Sequence, residues 1–313
     1  WIPSARLPPR ARPGGAYNAG MTDHAPSVAE RMAVWPQYLL PKQALTALAG
    51  RLARAQGGAL TTWAIERFVA RYQVQMAEAA DPLPAAYASF NDFFTRALRP
   101  GARPLAEADL LCPVDGAISQ CGPIDGQHIV QAKGHGYSST ALLGGDAEQA
   151  AAFDGGMFAT IYLSPRDYHR IHMPCAGRLR SMVHVPGALF SVNPTTARGV
   201  PGLFARNERV VCHFDTEFGP MAMVLVGATI VGSMATVWHG VVNPPRPGQI
   251  RRWTYEHQRV QLDRGAEMGR FLLGSTVVLL LPRDAMRFAP DWTPGRPVRM
   301  GEAMGQALTP RLL

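Results

Sequence analysis

The dipeptide Gly274-Ser275 interrupts an apolar run, Phe271–Leu281, which the pattern of branched residues predicts to be one buried β-strand closed by Pro282. Glycine weakens a strand, and a hydroxyl buried in one must be hydrogen-bonded or put to use. Because Gly274 has no side chain, its carbonyl is open to attack by the hydroxyl of Ser275. The alternative is a β-bulge that contains a hydrogen-bonded serine.

Two histidines three residues apart lie in a second segment that could do chemistry. It reads Ser-Pro-Arg-Asp-Tyr-His-Arg-Ile-His over residues 164–172, and a strand is expected to end where it begins. Charges beside apolar strands are costly to bury unless they are paired or used, so His169 and His172 are candidate catalytic residues. No nearby carboxylate or thiol spacing completes a metal site, and no metal is expected.

Asp115 supplies the carboxylate that would complete a set of groups for nucleophilic acyl chemistry. It lies in the sequence Pro-Val-Asp-Gly at residues 113–116. An aspartate followed by glycine is also typical of a simple turn, and the same pair recurs at Asp125 and Gly126. The sequence therefore leaves both interpretations of Asp115 open.

One function open to these residues is that of a serine hydrolase acting on lipid esters through Ser275, His172 and Asp115. Ser275 lacks the Gly-x-Ser-x-Gly elbow that exposes such a nucleophile, because the chain continues directly into the apolar run. The carbonyl nearest to its hydroxyl is therefore one of its own chain. A membrane adaptor in which these polar residues are only structural is a further hypothesis, which the two histidines disfavour.

Length and composition indicate a folded protein with many turns. The 313 residues are 47% hydrophobic and include 27 prolines and 31 glycines, which favours short strands over a helical bundle. The net charge of +8 comes without a Lys/Arg tract or a nucleic-acid-binding motif, so nucleic acid is not an expected partner. The four cysteines lack Cys-x-x-Cys spacing and are expected to be free thiols in a reducing cytoplasm. No segment has the ~18 apolar residues that a bilayer span requires.

Changes in pattern divide the chain into three regions. Residues 1–34 are predicted to be disordered, and Met21, which follows a Pro-, Arg- and Gly-rich stretch, indicates an over-extended gene start. Residues 35–100 are predicted to be helical, and residues 101–313 to form a β-rich catalytic domain. Besides Phe271–Leu281, the clearest expected strands are Met157–Leu163, Val210–Phe214 and Met221–Ile230. The predicted fold class is α+β, with a β-rich core of mostly antiparallel strands and N-terminal amphipathic helices.

Two of the expected helices are amphipathic. Leu45, Leu48 and Leu52 fall on one face of the first, and apolar residues from Ile65 to Met76 follow helical spacing in the second. Such helices, with basic and aromatic neighbours, could lie in a membrane interface or could pack on the protein's own core. The segment Ser89–Arg96, which combines aromatic residues with one arginine, could hold an acyl chain and an anionic head group, or could dock the helices.

Taken together, these motifs resemble the prokaryotic-type phosphatidylserine decarboxylases. The similarity rests on Leu-Gly-Ser-Thr at 273–276, Pro-Val-Asp-Gly at 113–116, the segment 164–172 with its two histidines, and Phe-Phe-Thr-Arg at 93–96. The stretches 189–193, 207–210 and 227–232 also match, and the motifs occur in the family's order. The resemblance covers residues 35–290 approximately.

The resemblance implies a proenzyme that cuts itself between Gly274 and Ser275. By this analogy Ser275 attacks the Gly274 carbonyl, His172 acts as the base, and Asp115 orients and stabilises the imidazolium. The products would be a β chain, residues 1–274, and an α chain of 39 residues, 275–313, in which Ser275 has become a pyruvoyl group.

The same resemblance implies the reaction and the residues that serve it. The pyruvoyl group, a covalent cofactor, would form a Schiff base with phosphatidylserine and act as an electron sink while the lipid loses carbon dioxide to give phosphatidylethanolamine. His169 is implied as a proton donor or substrate contact. Phe93, Phe94 and Phe190 are implied to line the entrance for the acyl chains.

A diacyl lipid stays in the bilayer, so the resemblance also implies a peripheral protein on the cytoplasmic side of the cell membrane. Its N-terminal helices would bind the anionic membrane surface. The other expected partners are its own cleaved α and β chains and a second αβ unit, which would make a homodimer.

Overall fold

The structure, a computed structural model, describes residues 34–39, 41–132, 134–229, 233–244, 248–273 and 276–308. Gly274 and Ser275 lie outside these residues, as does the predicted disordered region apart from residue 34. The described α-helices are α1 (Pro36–Leu39), α2 (Lys42–Arg54), α3 (Ala59–Tyr72), α4 (Phe90–Phe94), α5 (Ser139–Leu142), α6 (Ala147–Ala151), α7 (Pro194–Gly199) and α8 (Leu203–Arg206). Short 3₁₀ turns cover Met76–Glu78 and Pro84–Ala86.

From Leu110 onward the described chain is rich in β-strand. The strands are β1 (Leu110–Leu111), β2 (Gly116–Pro123), β3 (His128–Ala132), β4 (His135–Ser138), β5 (Met157–Tyr162), β6 (Arg170–His172), β7 (Gly177–Val185), β8 (Arg209–Thr216), β9 (Gly219–Val226), β10 (Met234–Thr236), β11 (Gly240–Val241), β12 (Arg251–Thr254), β13 (Gln261–Leu262), β14 (Glu267–Phe271), β15 (Thr276–Leu281), β16 (Met286–Phe288), β17 (Pro297–Val298) and β18 (Ala303–Ala307). All pairings between these strands are antiparallel. The predicted α+β class, with a β-rich antiparallel core and N-terminal helices, is confirmed.

A nine-stranded sheet forms the centre of the molecule. Its order is β12-β7-β8-β9-β15-β5-β2-β17, and β13 also pairs with β7. The smaller described sheets have the orders β1-β18-β16, β11-β10-β14-β6 and β3-β4.

Both faces of the large sheet are buried. In β15, Val277, Leu279 and Leu281 belong to one hydrophobic cluster, whereas Val278 and Leu280 belong to another. Successive side chains of a strand point to opposite faces, so the two clusters lie on opposite sides of the sheet. The first cluster also contains residues of β1, β6 and β16, and the second contains residues of β3, α5 and α8. Burial on both sides explains why β15 is apolar at every position after Thr276.

The prediction of a single strand over Phe271–Leu281 is wrong. Phe271 ends β14 in the four-stranded sheet, and Thr276 begins β15 in the nine-stranded sheet. Leu272 and Leu273 lie in a bend after β14. The apolar run concealed this break because the residues on its two sides, Phe271 and Thr276, are both fully buried. The strand predicted to reach Ile230 is also shorter than expected, since β9 ends at Val226.

The two longer N-terminal helices differ in what their apolar faces contact. On α2, Leu48 and Leu52 are 55% and 66% exposed, so the leucine face of this helix points to solvent. On α3, Ile65 is fully buried and packs in a small cluster with Phe93. The second helix therefore packs on the protein itself, and the first does not bury its leucines. Among the described helices, none has the length and hydrophobicity needed to cross a bilayer.

Candidate functional site

Three neighbouring strands of the nine-stranded sheet place the candidate residues near one another. Tyr162, the last residue of β5, pairs with Ala117 of β2 on one side and with Thr276, the first residue of β15, on the other. Asp115 directly precedes β2, the segment with the two histidines follows β5, and the Gly-Ser dipeptide directly precedes β15. The antiparallel register thus brings the strand residues next to these three motifs, Ala117, Tyr162 and Thr276, side by side at one end of their strands.

Asp115 is buried, and its carboxylate is fully hydrogen-bonded. Its Oδ1 accepts from the backbone N–H of Met300 and from Nε of Arg103, both at 2.9 Å, and its Oδ2 accepts from Nε at 3.2 Å and from Nη2 of Arg103. The next residue, Gly116, has no room for a side chain, because a Cβ there would lie 2.3 Å from the carbonyl oxygen of Tyr162. The glycine is thus needed for the close approach of β2 to β5.

The second aspartate–glycine pair differs from the first. Gly126 has a φ of +59°, in the left-handed region that favours glycine in turns. Asp125 is exposed, whereas Asp115 is 6% exposed. The two similar sequences therefore have different structures, and only Asp125 is a simple turn residue.

Arg103 connects Asp115 to the helical region. Its Nη2 also donates to Oε2 of Glu78 at 2.8 Å, and Oε1 of Glu78 accepts from Nη1 of Arg299 at 2.9 Å. Burial alone would lower the pKa of Arg103, but its hydrogen bonds to Asp115 and Glu78 outweigh burial and raise the pKa above its ordinary value. Breaking such a shielded pair leaves one charge uncompensated, so the carboxylate of Asp115 also supports the fold.

A tight turn carries the chain from β5 to the histidines. The backbone N–H of Ser164 donates to Oδ2 of Asp167 at 2.7 Å, and the N–H of Asp167 donates to the carbonyl of Ser164 at 3.0 Å. In β6, Arg170 donates from Nε to the carbonyl of Thr95 at 2.8 Å and from Nη1 to Oε2 of Glu267 at 2.9 Å. The arginine of β6 thus ties this strand to the helical region as well as to β14.

His169 is fully buried and keeps one ring nitrogen free. Its Nδ1 lies 2.8 Å from the carbonyl oxygen of Asp167, which can only accept, so Nδ1 carries the hydrogen and Nε2 keeps its lone pair. Nε2 has no hydrogen-bond partner among the described residues. Burial lowers the pKa of His169 to about 3, and the nearby charge of Arg96 acts in the same direction. The imidazole is therefore neutral at physiological pH and can accept a proton at Nε2.

Both ring nitrogens of His172 have partners. Nδ1 lies 2.8 Å from the carbonyl oxygen of Gly265, and Nε2 lies 3.0 Å from the hydroxyl of Tyr168. Burial lowers the pKa of His172 and raises that of Tyr168 to about 12, so both groups are neutral and the hydroxyl donates to Nε2. Asp115 makes no hydrogen bond to His172, and its negative charge acts on this imidazole at longer range.

The pairing of β6 with β14 determines which histidine lies beside Phe271, the last residue of β14. His172 pairs with Glu267, whereas the carbonyl of His169 accepts from the N–H of Phe271 at 3.1 Å. Phe271 is three residues before Gly274 in the chain. Along β14, His169 is therefore closer than His172 to Phe271, the strand end from which the chain continues towards Gly274.

The backbone that leads to the dipeptide is held in place. The N–H of Leu272 donates to the carbonyl of Ser233 at 3.0 Å, and the carbonyl of Leu272 accepts from the side-chain amide of Asn91 in α4. On the far side of the dipeptide, Thr276 is paired on both edges, to Tyr162 and to Val226. Both flanks of the dipeptide are thus fixed by backbone hydrogen bonds.

A cavity of about 410 Å³, here named the apolar chamber, adjoins Leu273 and His169; its lining includes Phe68, Tyr72, Phe90, Phe94, Tyr162 and Val192. Of the three phenylalanines expected to contact substrate, Phe94 lines this chamber. Phe93 is buried among the helices, and Phe190 packs against Tyr38 with ring centroids 4.9 Å apart. Neither Phe93 nor Phe190 lines the chamber.

A second cavity, of about 600 Å³ and here named the polar cavity, shares Tyr162 with the apolar chamber; its lining includes Glu78, Arg96, Arg103, Asp115, Asp167 and Tyr168. It therefore contains Asp115 as well as the tyrosine that is bonded to His172. Apolar and polar spaces that meet at one residue suit a molecule with a hydrophobic part and a charged head.

Several residues of this site were not predicted from the sequence. Arg103 and Asn91 reach the site through contacts across the fold, and neither the ion pair nor the amide contact leaves a local pattern. Tyr168 stands within the motif of the two histidines but was not assigned a role. Among the described residues, no group of His, Cys, Asp and Glu side chains is placed to hold a metal ion.

Comparisons with known proteins identify the family of this chain. The family model described as phosphatidylserine decarboxylase matches residues 90–306, and a second model, described as PSD, matches residues 32–73. A phosphatidylserine decarboxylase proenzyme of Acidovorax ebreus is 73% identical over 277 residues, which are 88% of this chain and 98% of the relative. Proteins of the same name from Delftia acidovorans and Azoarcus sp. are each 70% identical over 278 residues, with 88% and 89% of this chain and 98% and 96% of the relatives covered. The chain thus belongs to the phosphatidylserine decarboxylase family.

Proposed function

We propose that this chain is a proenzyme that cuts itself between Gly274 and Ser275 and then decarboxylates phosphatidylserine to phosphatidylethanolamine. The observation that carries the proposal is the pairing of Tyr162 with both Ala117 and Thr276, which brings the strands that follow Asp115 and Ser275 to either side of β5. The N–H of His172 donates to the carbonyl of Pro113 at 2.9 Å, two residues before Asp115. The family and the name of the relatives supply the substrate. Neither the family nor the name of the relatives favours a serine hydrolase acting on lipid esters.

The proposed cleavage converts one peptide bond into an ester. The hydroxyl oxygen of Ser275 attacks the carbonyl carbon of Gly274, the amide nitrogen leaves that carbon, and the hydroxyl proton passes through a base to the nitrogen. β-Elimination then transfers the Cα proton of Ser275 to a base, breaks the bond between its Cβ and the ester oxygen, releases the carboxylate of Gly274 and leaves dehydroalanine, which water converts to a pyruvoyl group and ammonia. His172 is assigned as the base and Asp115 as the charge that stabilises its protonated form. Since Tyr168 occupies Nε2 of His172, this hydroxyl relays the proton.

The residues beside the dipeptide fit the proposed pyruvoyl group. When present, such a group supplies an electron sink for the charge that remains as carbon dioxide leaves. The free Nε2 of His169, beside Leu273, can hold a proton and return it to the substrate carbon. The aromatic walls of the apolar chamber, among them Phe94, exclude water from this proton transfer.

We also propose that the leucine face of α2 binds an anionic membrane surface on the cytoplasmic side. Leu48 and Leu52 are more than half exposed, as is Trp63 of α3, and Arg51 and Arg54 lie exposed in the last turn of α2. Apolar residues beside basic ones are the pattern of a helix that lies in a membrane interface.

The resemblance to the family supports a homodimer of cleaved units. The mass of the purified protein, measured by light scattering, should then be that of two cleaved units rather than one.

The proposed function is tested first by replacing Ser275 with alanine. The wild-type protein should separate on a denaturing gel into two chains, the smaller of 39 residues, and should convert phosphatidylserine. Ser275→Ala should remain one chain without activity, because no hydroxyl can attack Gly274. Ser181→Ala, which lies in β7 outside the two cavities, should behave as wild type. A cut Ser275→Ala chain, or fatty acid release by uncut wild-type protein, would contradict the proposal.

The role of Asp115 can be separated from its structural ion pair. Asp115→Asn and Arg103→Gln both break that pair, but only the first removes the carboxylate. Asp115→Asn should slow cleavage roughly 10²- to 10⁴-fold, the rate factor typical of general acid–base catalysis. The rate of cleavage is followed on denaturing gels over time. Arg103→Gln should still be cut once it is folded, and Asp125→Asn should be cut as wild type. Equal loss of cleavage and of thermal stability in the first two variants would show that Asp115 is only structural.

His169 should serve decarboxylation rather than cleavage. His169→Gln is expected to be cut completely but to turn over phosphatidylserine about 10²- to 10⁴-fold more slowly, because the proton carrier is lost. His213→Gln, which replaces another buried histidine outside the two cavities, should change neither property. Accumulation of uncut His169→Gln chain would instead assign His169 to cleavage.

The low pKa of His169 has a consequence for pH dependence. With a pKa of about 3, the imidazole stays neutral as the pH falls from about 8 to about 5, so its protonation should not slow the cleaved enzyme in that range. Rates of decarboxylation should be measured across this range for the wild type and for His169→Gln. The wild-type profile should have no inflection near pH 6.5 that is absent from the profile of His169→Gln. Such an inflection would mean that the histidine titrates as if exposed.

Membrane binding should depend on the exposed leucines. Replacing Leu48 and Leu52 together by serine should weaken flotation with vesicles that contain anionic lipid by at least about tenfold, because about 0.8 kcal/mol per buried methylene is lost. Replacing Val237 and Val241 by serine removes a comparable exposed apolar pair outside the helices and should have no effect. Unchanged flotation of the leucine variant would contradict the membrane proposal.

A further inference from the structure

Arg96 is a buried arginine whose hydrogen-bonding capacity is mostly unused. The residue is 4% exposed and follows directly after Phe94 and Thr95. Its Nη2 donates to the carbonyl of Arg166 at 3.2 Å and to that of Asp167 at 3.5 Å. Its Nε and Nη1 have no partner among the described residues. A guanidinium remains charged in proteins, so these unused donors belong to a buried positive charge.

A second buried arginine shows what a purely structural role looks like. Arg209 is 3% exposed, and all three of its nitrogens donate to backbone carbonyls, those of Leu142, Asn207 and Ala141. The fold can therefore satisfy a buried guanidinium completely. Since it does not do so at Arg96, the missing acceptors are expected to come from a bound molecule.

Arg96 lines the polar cavity and has no acidic partner there. Each carboxylate that lines the same cavity is paired with an arginine other than Arg96. Asp115 and Glu78 pair with Arg103, Glu302 pairs with Arg296, and Asp167 pairs with Arg166 at 3.9 Å. No carboxylate among the described residues lies within ion-pair distance of Arg96. An anion that enters the cavity would therefore find one positive charge without a competing partner.

We propose that Arg96 binds the phosphodiester of the lipid head group and so anchors the substrate in the polar cavity, an inference that rests on the proposed function. The guanidinium carries a positive charge, and its Nε–H and Nη1–H groups, which have no partner among the described residues, can donate to phosphate oxygens. Tyr162 lines both cavities, so a lipid can place its apolar part in the apolar chamber while its phosphate reaches Arg96.

The chemistry of the reaction favours the phosphate over the carboxylate as the anion. The carboxylate loses its charge as carbon dioxide forms, so an arginine bound to it would stabilise the substrate more than the transition state and slow the reaction. The phosphodiester keeps its charge throughout. A contact with it strengthens binding equally before and during the reaction, and its loss raises KM while kcat stays the same.

Binding of soluble head groups to the wild-type protein and to Arg96→Gln tests this inference directly. Titration calorimetry with glycerophosphoethanolamine should give a Kd roughly 10- to 100-fold higher for Arg96→Gln, the loss expected for hydrogen bonds to a charged group. Arg96→Lys keeps the charge but places all its donors on one nitrogen, and it should raise Kd at least about threefold. With phosphatidylserine as substrate, Arg96→Gln should raise KM and leave kcat within about twofold.

Controls distinguish a specific contact from general charge. Arg166→Gln removes a mostly exposed arginine from the same cavity and should leave Kd within about twofold of wild type. Inorganic phosphate should bind more weakly than glycerophosphoethanolamine, and the reverse order would assign the site to free phosphate. The inference is overturned if Arg96→Gln, or Arg96→Lys should the first variant not fold, binds glycerophosphoethanolamine as wild type does. A rise in KM together with a rise in kcat would assign Arg96 to the carboxylate instead, and a fall in kcat at constant KM would overturn the inference, because it marks a contact made only in the transition state. Titration calorimetry measures the binding of the head group without any decarboxylation. A failure of the proposed function would therefore be seen in a different result, as wild-type protein that is uncut or inactive.

Discussion

The central constraint on this structure is that the chain must leave one buried sheet and enter another between Phe271 and Thr276. Phe271 is paired in the four-stranded sheet and Thr276 in the nine-stranded sheet, and both are fully buried. Leu272 donates its N–H to the carbonyl of Ser233 and accepts from the side-chain amide of Asn91, and the strands beside β15 pair with Thr276, so the residues on either side are fixed. Backbone pairing thus ends at Phe271 in one sheet and begins at Thr276 in the other, on either side of the peptide bond that we propose is cut.

Burial sets the protonation states around this junction. It lowers the pKa values of His169 and His172 and raises that of Tyr168, so all three side chains are neutral and ready to exchange protons. The one carboxylate assigned to the chemistry, Asp115, is ion-paired with Arg103. Arg103 also binds Glu78, so the same contact joins the helical region to the sheet.

The fold class predicted from the sequence is confirmed, and the motifs supplied the candidate site residues; the sequence failed where long-range contacts decide. The apolar residues of β15 were recognised as a buried strand, but the break before Thr276 was not, because a run buried in two sheets looks like a run buried in one. The leucines of α2 and the apolar residues of α3 follow the same spacing, yet one face is exposed and the other packs on Phe93. The partners of Asp115 could not be predicted, since Arg103 and Met300 approach it only in the folded chain.

The central claim concerns the chemical identity of the residue that follows Gly274 in the active protein. Mass spectrometry of the 39-residue chain from purified, active enzyme tests it most directly. The account predicts a fragment that starts at position 275, is lighter by one ammonia than the encoded sequence, and resists sequencing from its N-terminus. A fragment with a free amino group on an intact serine, or an active enzyme that yields no such fragment, would contradict it.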